Sequence, residues 1–98
     1  MTTLTVKNPI SPLWEFSGWN GTAYVIQRVP VSEPIAIPAG QYSQVVISSL
    51  NDQGREVRGH YIGDLTLKED SYTFNAASNA LTPVSKPAWT VLILLGLL

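Results

Sequence analysis

Apolar and polar residues alternate along most of this chain with a period of two, the repeat of a strand that turns one face to a core and the other to water. The pattern is clear over residues 3–7, where Leu4 and Val6 share a face, and over residues 13–19, 22–29 and 42–50. It returns over residues 55–62, 64–68 and 72–75. β-Branched and aromatic side chains fill these runs, and no window carries a helical period.

Turn residues separate the runs, each with a definite role. Asn20-Gly21 offers two positions tolerant of positive φ, the type I′ hairpin signature, between residues 13–19 and 22–29. Asn51-Asp52-Gln53-Gly54 reads as a hairpin loop, and Glu69-Asp70-Ser71 as a turn between the short strands around it, so a meander of hairpins is expected. Pro30, Pro34 and Pro38 lack the amide hydrogens a central strand needs and mark an edge or a crossing between sheets. Gly59 and Gly63 read as bulges or tight bends, and residues 75–80 suffice for one helical turn. About seven or eight short strands, with turn signals roughly every 8–12 residues, describe an all-β fold. The expected architecture is a small single-domain antiparallel β-sandwich or barrel, jelly-roll-like or Greek-key.

The C-terminal residues break the alternation. A β-domain over residues 1–81 is followed by a proline-bearing linker over residues 82–88 and then by Trp89-Thr90-Val91-Leu92-Ile93-Leu94-Leu95-Gly96-Leu97-Leu98. An apolar run of this kind left in water is an aggregation hazard, so it needs cover. It is roughly half the ~20 residues a spanning helix requires, and Pro83 and Pro87 bar an upstream extension. A lipid-facing β-strand would alternate, whereas Val91, Leu92, Ile93, Leu94 and Leu95 are apolar on both faces. A strand buried on both sides is expected, either in the chain's own sheet or as an arm that completes a neighbour's sheet. Trp89, Val91, Leu92, Ile93, Leu94, Leu95, Leu97 and Leu98 are the expected assembly residues, and contact with a membrane surface is a third reading of the same segment.

Composition narrows the functional classes. Apolar residues make up 45% of the 98, too many for a disordered chain. Charged residues are only 13%, about half the usual share, so part of the surface is expected to be covered by copies or partners. A net charge of -1 supplies no attraction for phosphate backbones and argues against nucleic-acid binding. The absence of cysteine excludes disulfides, thiolate metal sites and thiol nucleophiles. The first residues carry no secretory signal pattern, so synthesis in the cytoplasm is expected, with the final compartment open.

Catalytic chemistry finds little support. His60, the one histidine, could serve as a general base beside Asp64 or Glu56, but no partner set or nucleophile elbow accompanies it, and a solvent-facing or satisfied structural histidine is the stronger reading. Asp52, Asp64, Glu69 and Asp70 match no calcium-loop spacing. Arg55 and Arg58 surround Glu56, a mixture that favours cross-strand ion pairing over a basic patch. Asn20-Gly21-Thr22 fits the glycosylation pattern, although the hairpin turn explains it as well. Trp14, Trp19 and Tyr24 lie on the arms of the Asn20-Gly21 hairpin, where a flat ring stacks on a sugar, anchors an interface or fills the core. The expectation is a non-enzymatic structural subunit without metal or cofactor, part of a homo-oligomer or a larger particle such as a viral capsid, decoration, spike or tail. The alternative is a carbohydrate- or ligand-binding module that uses its exposed aromatics, Trp14, Trp19 and Tyr24, with Tyr42 as a further candidate.

Overall fold

The computed structural model describes residues 1–84; the apolar residues 89–98 and linker residues 85–88 lie outside them. The described chain is all-β, with no helix. Its strands are β1 (Thr2–Lys7), β2 (Leu13–Trp19), β3 (Tyr24–Pro30), β4 (Ile35–Ile37), β5 (Gly40–Leu50), β6 (Glu56–Leu67), β7 (Ser71–Asn75) and β8 (Ala80–Pro83). They form two four-stranded sheets, one in the order β4-β1-β7-β8 and the other β3-β2-β5-β6.

Period-two alternation builds the layer between the sheets. In β2 the side chains of Trp14 and Phe16 point inward while Leu13, Glu15, Ser17 and Trp19 take the other face. Leu4, Ile35, Ile37 and Phe74 of the first sheet meet Trp14, Phe16, Val45 and Ile47 of the second in one buried cluster, a sandwich-like arrangement. Each fully buried large apolar side chain contributes about 1.5–3 kcal/mol.

The Asn51–Gly54 loop closes the β5–β6 hairpin as its residues imply. Gly54 N–H donates to Asn51 O at 2.9 Å, the Asn51 side chain accepts from Gln53 and Arg55, and Gly54 takes φ +79°. The β2–β3 hairpin also forms, but not through a two-residue type I′ turn. Residues 20–23 join the strands, and only Gly21 has positive φ. The Asn20 carboxamide captures the amides of Thr22 and Ala23 at 2.8 and 2.9 Å, which replaces the second left-handed residue with a side-chain bond. Residues 76–79 make the single helical turn, with Asn79 N–H donating to Asn75 O, and it joins β7 to β8. Thr82 and Pro83, read from sequence as linker, pair with Thr73 and Tyr72 as part of β8.

A simple meander is not what forms. The chain passes from the second sheet to the first through Pro30–Pro34 and returns after Pro38, so the prolines do mark a crossing, with β4 an edge strand. It crosses again between β6 and β7, where a hairpin was expected. Thr2 Oγ1 donates to Glu69 O and Thr3 N to Asp70 O, which delivers the chain to the start of β1. β7 therefore runs beside β1 in the same direction, and this parallel pair departs from the antiparallel expectation.

Residues 55–62 and 64–68 join into one long strand, β6. Gly63, at φ +86°, carries the bend: Val45 pairs with Gly63 and Val46 with Tyr61, leaving Ile62 as an extra residue.

Candidate functional site

The two outer faces differ in chemistry. On the first sheet, the register aligns Thr5, Thr73 and Thr82, and beside them Lys7, Asn75 and Ala80, a hydroxyl and amide surface. On the second sheet, Ile26, Ser17, Val46 and Tyr61 line up across all four strands. Ile26 is 56% exposed and Tyr61 70%, with Val57 exposed nearby on β6. Apolar residues clustered in this way on a surface mark contact sites more often than chance. The neighbouring row holds Glu15 and Arg28, whose carboxylate and guanidinium meet at 3.1 Å. That exposed pair contributes under about 1 kcal/mol to stability but leaves the row nearly neutral.

At the hairpin end of the same face lies an open cleft of about 610 Å³. Trp19 and Asn20 line one side, Gln41 and Ser43 come from β5, and Asp64 and Thr66 from β6. Tyr42 and Leu65 lie at its base; the Tyr42 hydroxyl donates to Pro38 O at 2.6 Å, and burial pushes its pKa up. Two irregularities converge here. Ser17 pairs with Val46 but Trp19 with Ser43, and Tyr42 pairs with Leu65 but Val45 with Gly63. In both ladders β5 carries an extra residue, and within that bulge Gln44 has a left-handed φ of +55°. A non-glycine residue there costs on the order of 1–3 kcal/mol, a strain that clusters at functional sites.

The sequence candidates divide cleanly. Trp19 and Tyr24 are brought together with ring centroids 5.1 Å apart and planes at 66°, and the Tyr24 hydroxyl donates to Gln44 Oε1 at 2.5 Å. Trp14 is not a surface ring: it is 1% exposed in the core, and its indole N–H donates to Glu33 O at 3.3 Å. Core burial outweighs display because Trp14 sits on the inward parity of β2, one residue from Glu15 and two from Phe16.

His60 is equally removed from solvent. It is 2% exposed, its Nε2 lies 3.1 Å from Ser49 Oγ, and its ring meets Phe74 edge-on at 5.0 Å. Burial, and then Arg58, push its pKa down, while a side-chain hydrogen bond with Asn79 and the charge of Glu56 oppose them. Among the described residues, the cross-strand ion pairing expected around Arg55, Glu56 and Arg58 does not form; Glu56 Oε1 instead accepts across the β5–β6 pair from Ser48 Oγ at 3.1 Å. Among the described residues, no buried side-chain nitrogen or oxygen lacks a partner.

Sequence reasoning missed Gln41, Ser43 and Thr66, and it weighed Asp64 only as a partner for His60 or calcium. Counting outward from the Asn51–Gly54 loop would have approached the Gln41–Thr66 pair, but the bulges at Gln44 and Ile62 shift that count. No protein-family model matches this chain, and no curated protein or solved structure shows significant similarity to it.

Proposed function

We propose that this chain is a β-sandwich assembly subunit that works without chemical turnover, with the Ile26–Tyr61 row of its β3-β2-β5-β6 outer face covered by a second copy of itself and the hairpin end of that face left open. The observation that carries this reading is the row of Ile26, Ser17, Val46 and Tyr61 across that face, apolar at every position but Ser17, set against the hydroxyl surface of the opposite sheet. A two-fold contact needs a patch that matches itself, and an apolar row bordered by an internally neutralised Glu15–Arg28 pair meets that need without an oppositely charged partner. Seven-residue strands such as β2 and β3 make this face roughly 19 by 23 Å at the usual strand spacing and rise. That is modest beside the roughly 800 Å² per partner of a standard interface, so association through the face alone is concentration-dependent. The apolar composition of residues 89–98, which calls for cover by protein, supports the same reading.

Sedimentation velocity over a wide concentration range tests this. The full chain is expected to shift from monomer to dimer or larger species, while an Ile26→Lys/Tyr61→Lys variant with an unchanged circular-dichroism spectrum stays monomeric. A full chain that remains monomeric throughout, or a double variant that associates as strongly, overturns the reading.

A further inference from the structure

We infer that the cleft beside Trp19 binds a neutral carbohydrate, with one pyranose ring laid on the indole and its hydroxyls held by Asp64 and the surrounding amides and hydroxyls. The chemistry of the wall selects this ligand. Asn20 and Gln41 supply carboxamides, Ser43 and Thr66 hydroxyls, and Asp64 one carboxylate. The Asn20 oxygen is already occupied by the amides of Thr22 and Ala23, so its NH₂ group is the part left to donate. Sugar hydroxyls both donate and accept, and this set offers both kinds of partner within one small cleft.

Other ligand classes fit less well. Among the described residues no Lys, Arg or His lines the cleft, so phosphate, sulfate and carboxylate ligands find no counter-charge from them there. Among the described residues no three acidic or imidazole side chains gather to hold a metal ion. A nucleobase offers two flat faces and is best held between parallel rings, but Tyr24 meets Trp19 at 66° and forms no such clamp. A pyranose has one face of C–H groups for a single ring and a rim of hydroxyls for the rest.

Tyr24 has a positioning role instead. Its edge contact fixes the indole, and its bond to the strained Gln44 fixes Tyr24, so the stacking surface is ordered before a ligand arrives. The bulge that strains Gln44 also displaces Ser43 from the regular ladder and places it opposite Trp19.

The test uses the full chain and methyl pyranosides of glucose, galactose, mannose and N-acetylglucosamine, with their β-linked disaccharides, in saturation-transfer NMR. At least one is expected to bind, with saturation concentrated on the C–H protons of one ring face. Trp19→Ala and the near-isosteric, surface-placed Asp64→Asn are each expected to weaken it about tenfold. The Ile26→Lys/Tyr61→Lys variant, altered elsewhere on the face, is expected to bind as the unaltered chain does. Absence of binding by every saccharide, binding indifferent to Asp64→Asn, or binding lost in the Ile26→Lys/Tyr61→Lys variant overturns the inference. None of the first two results bears on self-association, which sedimentation measures separately.

Discussion

Gly18 and His60 show how single positions constrain this molecule. A Cβ on Gly18 would stand 3.0 Å from Phe16 Cζ and 3.2 Å from Tyr42 Cδ1, against two rings already packed edge-on at 5.4 Å. Both rings would have to give by a few tenths of an ångström to admit it, so Gly18→Ala is expected to destabilise by about 1–3 kcal/mol in urea unfolding. His60 sets a pH dependence. Unfolded, its imidazole titrates near 6.5; folded, it titrates lower, first because of burial and then because of Arg58. The unfolded chain therefore binds more protons between those two values, and stability rises with pH across that window. The contribution is complete above about pH 6.5 and is lost as pH falls towards the folded value. Thermal unfolding followed from about pH 7 downward is expected to show a falling Tm, with a smaller slope in His60→Gln. A Tm that rises on acidification contradicts this account of the histidine. The burial of His60 was not legible in the sequence. Alternation places His60, Arg58 and Ile62 on one face, yet Arg58 stays exposed, and it is the arrival of Phe74 from the other sheet that covers His60.

At the scale of elements, local turn chemistry was the most readable part of the chain. The prolines placed the crossing around β4, and Asn51–Gly54 placed the β5–β6 loop, because both act through the backbone of their own residues. The crossing from β6 to β7 was hidden because its determinants, Thr2 and Thr3, lie far away in sequence. For the same reason the parallel β1–β7 pair has no signature in either strand alone. The inward or outward sense of β3 was also closed to pattern reading: Ile26 resembles a core residue until Gln27, Arg28 and the edge position of β3 are seen together. The β2–β3 hairpin rests on one side chain. Asn20→Ala removes two hydrogen bonds to the loop amides and is expected to lower stability by about 1 kcal/mol, measured by chemical denaturation. An Asn20→Asp chain, which keeps the acceptor, is expected to retain most of it.

For the molecule as a whole, the described residues already enclose a core drawn from both sheets, with every buried side-chain polar atom partnered. A chain ending at Pro87 is therefore expected to keep the β-sheet circular-dichroism spectrum and a cooperative unfolding transition; loss of that transition would assign residues 89–98 to the core. The larger claim is that the Ile26–Tyr61 row of the β3-β2-β5-β6 face is covered by another copy in solution. Hydroxyl-radical footprinting reads this directly, because Tyr24 and Tyr61 are 51% and 70% exposed in a single chain. At concentrations where the full chain associates, Tyr61 is expected to be protected relative to its reactivity on dilution, whereas the outer face of the first sheet keeps its reactivity. Tyr61 oxidised equally at every concentration would contradict the account.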